Sequence, residues 1–394
     1  MWQLGFFFHE MAFGLLSIFL PLYIVSIGGS LVDVGLMASL AALLAIPASF
    51  IWGYLCDKTR RYKRYILISF LTSSTLLCSL TFTKDIAVII ALYAAMAVFH
   101  VAHEPPKNVL ICELYPREEW ERSFASYEGL TEAGWLIGLV TGVFISLLGF
   151  KPTATLLICS GLNLLAFLSS LLLLSDPLLI FERSLVRIRR GVDLAYRGIT
   201  ILSKLLNGFP TPVNLVKENL ALFCAALVFF AFATSTLFTP LPIFLYQNLG
   251  LTTTLVYTVY VLNSAAGVIG YFLTGGKLTL QQEKKRLQKV VLLKSGLAFL
   301  LAAFTISAQT VFPFALVLFL MGFAYALYHV CVLSLSMELI PAGMAGLFDA
   351  VVGLGSAVGA YLGPYLAQTF GFSCVFVTSG AAFLLAYIFF KASL

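Results

Sequence analysis

Gly53-Tyr54-Leu55-Cys56-Asp57-Lys58-Thr59-Arg60-Arg61-Tyr62-Lys63-Arg64, or GYLCDKTRRYKR, separates two long apolar runs of this 394-residue chain. One aspartate and five basic residues share twelve positions in a sequence that is only 11% charged. Charges at that density are stable only in water. The flanking apolar runs therefore read as two membrane crossings joined by a short basic loop.

The rest of the chain extends that reading. Hydrophobic residues make up 60% of it, where a soluble domain has roughly 45–50%. A soluble fold could not cover so much apolar surface, so lipid must cover the excess. The apolar runs reach about 20 residues or more, enough to cross about 30 Å of hydrocarbon at about 1.5 Å per residue. Twelve crossings are placed near 3–26, 31–56, 64–83, 86–113, 122–149, 152–175, 219–248, 251–276, 289–308, 311–338, 345–370 and 372–391. The fold class is thus an all-α integral membrane protein with twelve transmembrane helices. The first run starts almost at Met1 and is too long for a signal peptide's apolar region, so no cleavable signal is expected. Cysteines number seven, and Cys78, Cys159, Cys224 and Cys331 fall inside apolar runs. Packing rather than a disulfide framework is their expected role.

Lysines and arginines orient the crossings. With both termini inside, the loop between crossings two and three holds Lys58, Arg60, Arg61, Lys63 and Arg64. The central linker adds Arg183, Arg187, Arg189, Arg190, Arg197, Lys204 and Lys217, and the loop between crossings eight and nine adds Lys277, Lys284, Lys285, Arg286 and Lys289. The outer loops keep only Lys84 and Lys151. That asymmetry implies cytoplasmic termini in a multi-pass protein of the cell membrane. In the linker, Leu185, Ile188, Val192, Ala195, Ile199, Leu202 and Leu206 recur every three or four residues. This spacing predicts an amphipathic helix lying on the cytoplasmic surface.

The sequence is also written twice. Leu20-Pro21 recurs as Leu241-Pro242, and Gly53-Tyr54 as Gly270-Tyr271. Glu113-Leu114-Tyr115-Pro116 returns as Glu338-Leu339-Ile340-Pro341, and Gly129-Leu130 as Gly353-Leu354, all at offsets of 217 to 225. Four matches in one order at nearly one offset imply two parallel six-helix repeats. The expected division is a bundle over 1–175, a cytoplasmic linker over 176–217 and a second bundle over 218–394. The pattern G-x-L-x-D-K-x-x-R-x-K-R resembles the signature between helices two and three of the major facilitator superfamily, with Arg60 where that family has glycine. The repeat carries the resemblance over nearly the whole chain. It implies two pseudo-symmetric six-helix bundles with a substrate site between them.

Ionisable groups inside the crossings mark candidate working residues, because a charge in hydrocarbon costs at least about 2.5–3.5 kcal/mol. Crossing four carries His100, His103, Glu104 and Lys107 at i, i+3, i+4 and i+7, hence on one helix face. Crossing five carries Glu128 and Glu132, crossing one His9 and Glu10, and crossing ten Tyr325, Tyr328 and His329. At about 1.5 Å per residue, Glu10, Glu104, Glu132 and His329 all fall roughly 12–15 Å above the cytoplasmic boundary, and His100 at about 20 Å. Four helices with ionisable groups at one level describe a lined cavity. Clustered carboxylates cannot all stay charged there, so at least one is expected to hold a proton near neutral pH. Glu10, Glu104 and Glu132 are the candidate proton or cation sites. His9, His100, His103, Lys107, Glu128, Tyr325, Tyr328 and His329 are the candidate cavity residues. For Lys107 an equal alternative is a pair with Glu104 or Glu128 that ties crossings four and five together. For Tyr325 and Tyr328 the alternative is packing.

Pro105-Pro106 removes two backbone donors and predicts a break or kink in crossing four. The H-x-x-H-E spacing at His100, His103 and Glu104 is compatible with a divalent ion, although the preferred reading assigns no metal. The family resemblance supplies further expectations. Crossing four in many members has an arginine linked to proton coupling, and Lys107 is the only base here. Gly134, Gly138 and Gly142 resemble the antiporter glycine motif, with Leu139 in place of its proline, and Gly355, Gly359 and Gly363 repeat the spacing in crossing eleven. Such glycines let helices pack closely. By the same resemblance Gly53, Asp57, Arg61 and Glu113 form a cytoplasmic gate. Asp57 is to face the N-terminus of crossing eleven, and Arg61 is to pair with Glu113.

The reading is a secondary transporter that moves a small organic solute by alternating access with proton coupling. Its expected partners are that solute, protons and the lipid bilayer. Nucleic acid is not expected, and the chain is expected to be a monomer. No nucleotide-binding loop is present, so ATP hydrolysis is not expected; the reading assigns no cofactor and no enzymatic activity. The rivals within transport are an exporter of cationic amphiphiles and a divalent-metal carrier. From another class, an intramembrane metallohydrolase would use His100, His103 and Glu104, but such an enzyme needs no second repeat.

Overall fold

The computed structural model describes residues 2–114, 120–176, 219–273, 280–307, 311–339 and 345–393. Among them, twelve helical spans are long and apolar enough to cross a membrane. The helices are α1 (Leu4–Ser26), α2 (Leu31–Thr59), α3 (Tyr62–Ser79), α4 (Ile86–His100), α5 (Glu104–Leu114), α6 (Trp120–Leu147) and α7 (Pro152–Leu173). After the linker come α8 (Leu220–Phe238), α9 (Thr253–Leu273), α10 (Leu280–Ser307), α11 (Val311–Leu339), α12 (Ala345–Phe370) and α13 (Phe372–Ser393). Helices α4 and α5 together make the fourth crossing. The seventh continues past α8 through Leu241–Ile243 and a π-helical turn at Phe244–Asn248, where Pro240 and Pro242 interrupt regular hydrogen bonding. The amphipathic helix expected between 176 and 217 lies outside the described residues, apart from Asp176.

The sequence places every crossing but misjudges how far helix extends into water. Helix α2 runs through GYLCDKT to Thr59 and α3 starts at Tyr62, so the basic connection is only Arg60 and Arg61. Likewise α10 begins at Leu280, which puts Lys284, Lys285 and Arg286 on helix instead of in a loop. Glutamine, lysine, arginine and leucine are good helix formers, so the helix does not stop where hydrocarbon does. The start of α2 is fixed by a capping box, with Ser30 Oγ accepting from Asp33 N at 3.2 Å and Asp33 Oδ2 accepting from Ser30 N at 2.8 Å. Its end is fixed by Arg60 in the left-handed region, φ 53 and ψ 28, with the Arg60 N–H donating to the Cys56 carbonyl at 2.8 Å. Arg60 is the one non-glycine residue with positive φ among those described. This is the position where the related motif has glycine, which meets that backbone without Cβ strain.

Packing repeats with the sequence. In the first half, α1 packs on α6 and α7, α3 on α7, and α2 on α4. In the second, α8 packs on α12 and α13, α10 on α13, and α9 on α11. Helix pairs α2–α12 and α6–α9 join the halves. The two glycine stripes explain why the equivalent pairs come so close. A Cβ at Gly134 or Gly138 would overlap the carbonyl oxygens of Phe7 or Met11 on α1. A Cβ at Gly355, Gly359 or Gly363 would overlap those of Val228, Phe232 or Thr236 on α8. Gly142 departs from the stripe and seats the Tyr257 ring of α9.

Among the described residues, several hydrogen bonds join the halves. Tyr257 Oη donates to the Leu15 carbonyl at 2.9 Å, Thr254 Oγ1 to Ser146 Oγ at 3.0 Å, and Val32 N to Gln368 Oε1 at 3.2 Å. The last two lie at the helix ends remote from the Arg60–Arg61 connection.

Candidate functional site

The fourth crossing builds the site by breaking. Helix α4 ends at His100, a 3-10 turn covers Val101–His103, and α5 restarts at Glu104 with Pro105 and Pro106 in its first turn. Prolines are tolerated there because the first-turn amides have no intrahelical partner to lose. Lys107 Nζ lies 2.5 Å from Glu104 Oε2, 3.7 Å from Glu128 Oε1 and 5.1 Å from the Tyr127 ring centroid. The lysine thus ties α5 to α6 and also borders the cavity, so both readings of it describe the same residue.

That cavity, about 130 Å³, is bounded by Glu10, Glu104, Lys107, Glu128, Glu132 and Trp135 among others. Four carboxylates face one lysine across it. Glu132 differs from the other three. Its Oε1 accepts a hydrogen bond from Ser264 Oγ of α9 at 3.0 Å, a polar link from one half to the other inside the apolar layer. Asp349 of α12 adds a carboxylate within electrostatic reach of Glu104 and Lys107. Sequence reasoning missed it because it sits close to the start of its crossing, where a charge excites no suspicion.

The histidines divide differently from the depth estimate. His9 and His103 are fully buried, and with His100 they pack against Phe6, Phe13 and Phe70. They do not line this cavity, although the sequence puts them in its wall. Position along a helix gives depth but not direction around the axis, and direction decides which side of α1 an imidazole occupies. In the second half, His329 Nδ1 hydrogen-bonds Tyr271 Oη at 2.8 Å and stacks on Tyr325, centroids 5.8 Å apart at 8°. Tyr325 is 39% exposed, while Tyr328 is buried and stacked on Phe230. Tyr328 therefore has the packing role, whereas Tyr325 faces open space.

Lys294 of α10 was not anticipated. It is fully buried, its Nζ has no hydrogen-bond partner, and three aromatic centroids surround it: Phe230 at 4.7 Å, Tyr325 at 5.0 Å and Phe383 at 5.1 Å. A lone lysine inside the run VVLLKSGLAFLL was the available signal.

Of the gate residues, Gly53 faces the proline break, where an added Cβ would come 4.0 Å from Pro105 Cγ. Asp57 lies exposed on the last turn of α2 and Arg61 caps the start of α3. The Glu113 side chain and residues 341–344 before α12 lie outside the described residues, and so do the expected Arg61–Glu113 pair and the residues facing Asp57.

Residues 4–348 match the sequence profile of the Major Facilitator Superfamily. An uncharacterized MFS-type transporter of Methanocaldococcus jannaschii is 24% identical over 168 residues, which is 42% of this chain and 42% of that protein. The match thus spans under half of the relative's length. Among solved structures, one described as showing substrate recognition in proton dependent oligopeptide transporters superposes with a TM-score of 0.77 at 15% identity, covering 100% of this chain and 97% of that one. The human organic anion transporter MFSD10 gives 0.68 at 15% identity, covering 99% and 97%. The nucleoside transporter NupG, solved as a point mutant, gives 0.70 at 14% identity, covering 99% and 98%. These likenesses establish the fold.

Proposed function

Because the chain belongs to the Major Facilitator Superfamily, we propose that it is a secondary transporter that moves a small organic solute through the cavity between its halves, driven by protons. The supporting observation is the Glu132–Ser264 hydrogen bond. A carboxylate that is buried in one half and bonded to the other can link its proton occupancy to the fit between them. With Glu132 ionised, the Ser264 hydroxyl donates to a charge and the contact is strong. With Glu132 neutral, the contact weakens and the halves can rock. Glu10, Glu104 and Glu128 line the same cavity as cation-binding carboxylates, which favours a solute with a positively charged group. The related structures carry names as different as oligopeptide, nucleoside and organic anion transporters, so the fold leaves the solute to the side chains. The excess of basic residues on one side supports termini and linker in the cytoplasm of a cell-membrane monomer, with Gly53, Asp57, Arg61 and Glu113 at a gate on that side.

A thermal-shift screen of small cations, zwitterions and anions on purified protein identifies solutes for flux measurements in liposomes. With a stabilising solute, Glu132→Gln is expected to abolish uptake driven by a pH gradient while sparing exchange at equal pH. Loss of both activities would make Glu132 a solute ligand or a structural residue. Absence of flux for every stabilising solute would sink the transport reading. Single cysteines in the linker, in a background lacking the native ones, are expected to resist impermeant thiol reagents added outside cells.

A further inference from the structure

Behind the carboxylate cavity, His9, His100 and His103 form a cluster of their own. One ring nitrogen from each lies within 4.8 Å of the other two. The hydrogen bonds around the cluster decide where its protons sit. Asn163 Nδ2 donates to the Cys159 carbonyl at 3.0 Å, which fixes the amide and leaves Oδ1 as an acceptor 2.6 Å from His9 Nδ1. In the neutral ring His9 thus carries its proton on Nδ1 and a lone pair on Nε2. Ser69 Oγ donates to the His100 carbonyl at 3.0 Å, so it accepts from His103 Nδ1 at 3.2 Å. His103 in turn has its lone pair on Nε2. That atom is fully buried and makes no aligned hydrogen bond, while the nearest charged atom, Glu104 Oε1 at 3.2 Å, offers another lone pair. His9 Nε2 points at His100 Nδ1, 3.0 Å away.

Lone pairs that converge in an apolar surround require a cation. Outer nitrogens bonded to an amide oxygen and a hydroxyl match the way proteins orient metal-binding imidazoles; of the inner nitrogens, His103 Nε2 is unpartnered and His9 Nε2 accepts from His100 Nδ1. We propose that His9, His100 and His103 bind one divalent transition-metal ion of the zinc class, with Glu104 Oε1 in reach as a fourth ligand. Imidazole nitrogens select such ions over calcium and magnesium, which take oxygen ligands. Tetrahedral zinc, with Zn–N of about 2.0–2.1 Å, needs nitrogens about 3.4 Å apart. Side-chain rotations can close the present spacing to that value. On binding, the proton of His100 Nδ1 moves to its Nε2, freeing Nδ1 for the ion. The bound ion ties α1 to the fourth crossing just ahead of its proline break. It is a resident ion rather than cargo, and the site stands whether or not the chain carries organic solutes.

The test uses tag-free, full-length protein in detergent, stripped by a chelator and titrated with Co(II) while visible absorption is recorded. One Co(II) per chain with tetrahedral d–d bands, displaced by Zn(II), is expected. His9→Ala and His103→Ala should remove the bands. Asn163→Ala, which removes no ligand but takes away the acceptor that orients His9, should weaken binding about 10–100-fold while gel filtration stays unchanged. Absence of a saturable signal in the parent protein would overturn the site. Binding unchanged in His103→Ala would also overturn it. Zn(II) uptake into proteoliposomes that the histidine variants lose would make the ion cargo and refute its resident role.

Discussion

Among the described residues two lysines are buried, one in each half, and their charges are met by different physics. Lys107 is held by Glu104 and Glu128 beside a cavity, whereas Lys294 is sealed among Phe230, Tyr325 and Phe383 with no hydrogen-bond partner. Carboxylates meet the first charge by Coulombic attraction and hydrogen bonding. Ring faces meet the second through their quadrupoles, at about 0.5–2 kcal/mol each. The repeat therefore carried helix order, pairing and glycine stripes into both halves but left the acids largely in one. The cavity's carboxylates, Glu10, Glu104, Glu128 and Glu132, all come from the first half, and from the second half Asp349 comes within electrostatic reach of Glu104 and Lys107. The proposed proton and cation chemistry would thus rest on the first half, with the second as the surface it moves against.

Lys107→Met is expected to give the largest effect. It leaves Glu104 and Glu128 without their counter-charge, and breaking a buried ion pair costs about 3–5 kcal/mol. Glu104 is 41% exposed to the cavity, which moves the expected loss to the low end, about 3 kcal/mol. Unfolding in detergent measures it, and adding Glu104→Gln should return part of the stability. A loss under about 1 kcal/mol would mean that the cavity screens the pair and that the contrast between the lysines is one of geometry alone.

How much of this was legible follows from what each residue's signal depends on. Crossings, the proline break and the glycine stripes are functions of local sequence. Pro105 forces its break whatever surrounds it, and Gly138 and Gly359 advertise close packing by spacing alone. Carboxylates were found because hydrocarbon makes any charge conspicuous. Lys294 was equally conspicuous as a lone charge in an apolar run, but its cage was not legible, because its partners come from crossings seven, ten and twelve. The His9 cluster was half legible. The spacing of His100 and His103 showed a shared face, but only the packing of α1 on α7 brings His9 and Asn163 to them.

The glycine stripes test the part of the comparison in which the halves agree. Gly138→Ala and Gly359→Ala each push a methyl into a carbonyl of the neighbouring helix, Met11 or Phe232. Overpacking of this kind costs about 1–3 kcal/mol. Similar losses in the two variants are expected by thermal unfolding, and a difference above about 1 kcal/mol would show that the repeat does not equalise the two interfaces. Arg60→Gly gives the scale of a change that touches neither lysine. Relief of left-handed strain is worth about 1–2 kcal/mol, and the greater freedom of glycine in the unfolded chain takes back about 0.4–1 kcal/mol. A gain of about 1 kcal/mol is expected.

The smallest effect is expected where intuition from soluble proteins foresees a large one. Removing a buried lysine usually strips carboxylates of their partner, but Lys294 has none to strip. Lys294→Met shortens the side chain by one atom but nearly keeps its volume and flexibility, so no large cavity opens in the cage. It gives up the attraction of three ring faces. In return it removes a desolvation cost of several kcal/mol that an uncompensated buried ammonium carries. The two nearly cancel, so stability should change by no more than about 1 kcal/mol, with the gain favoured. The result is read in the same detergent unfolding assay as Lys107→Met. A loss above about 2 kcal/mol would show that the aromatic cage binds its cation as firmly as the acids bind theirs. The two halves would then differ in chemistry but not in how strongly they hold charge.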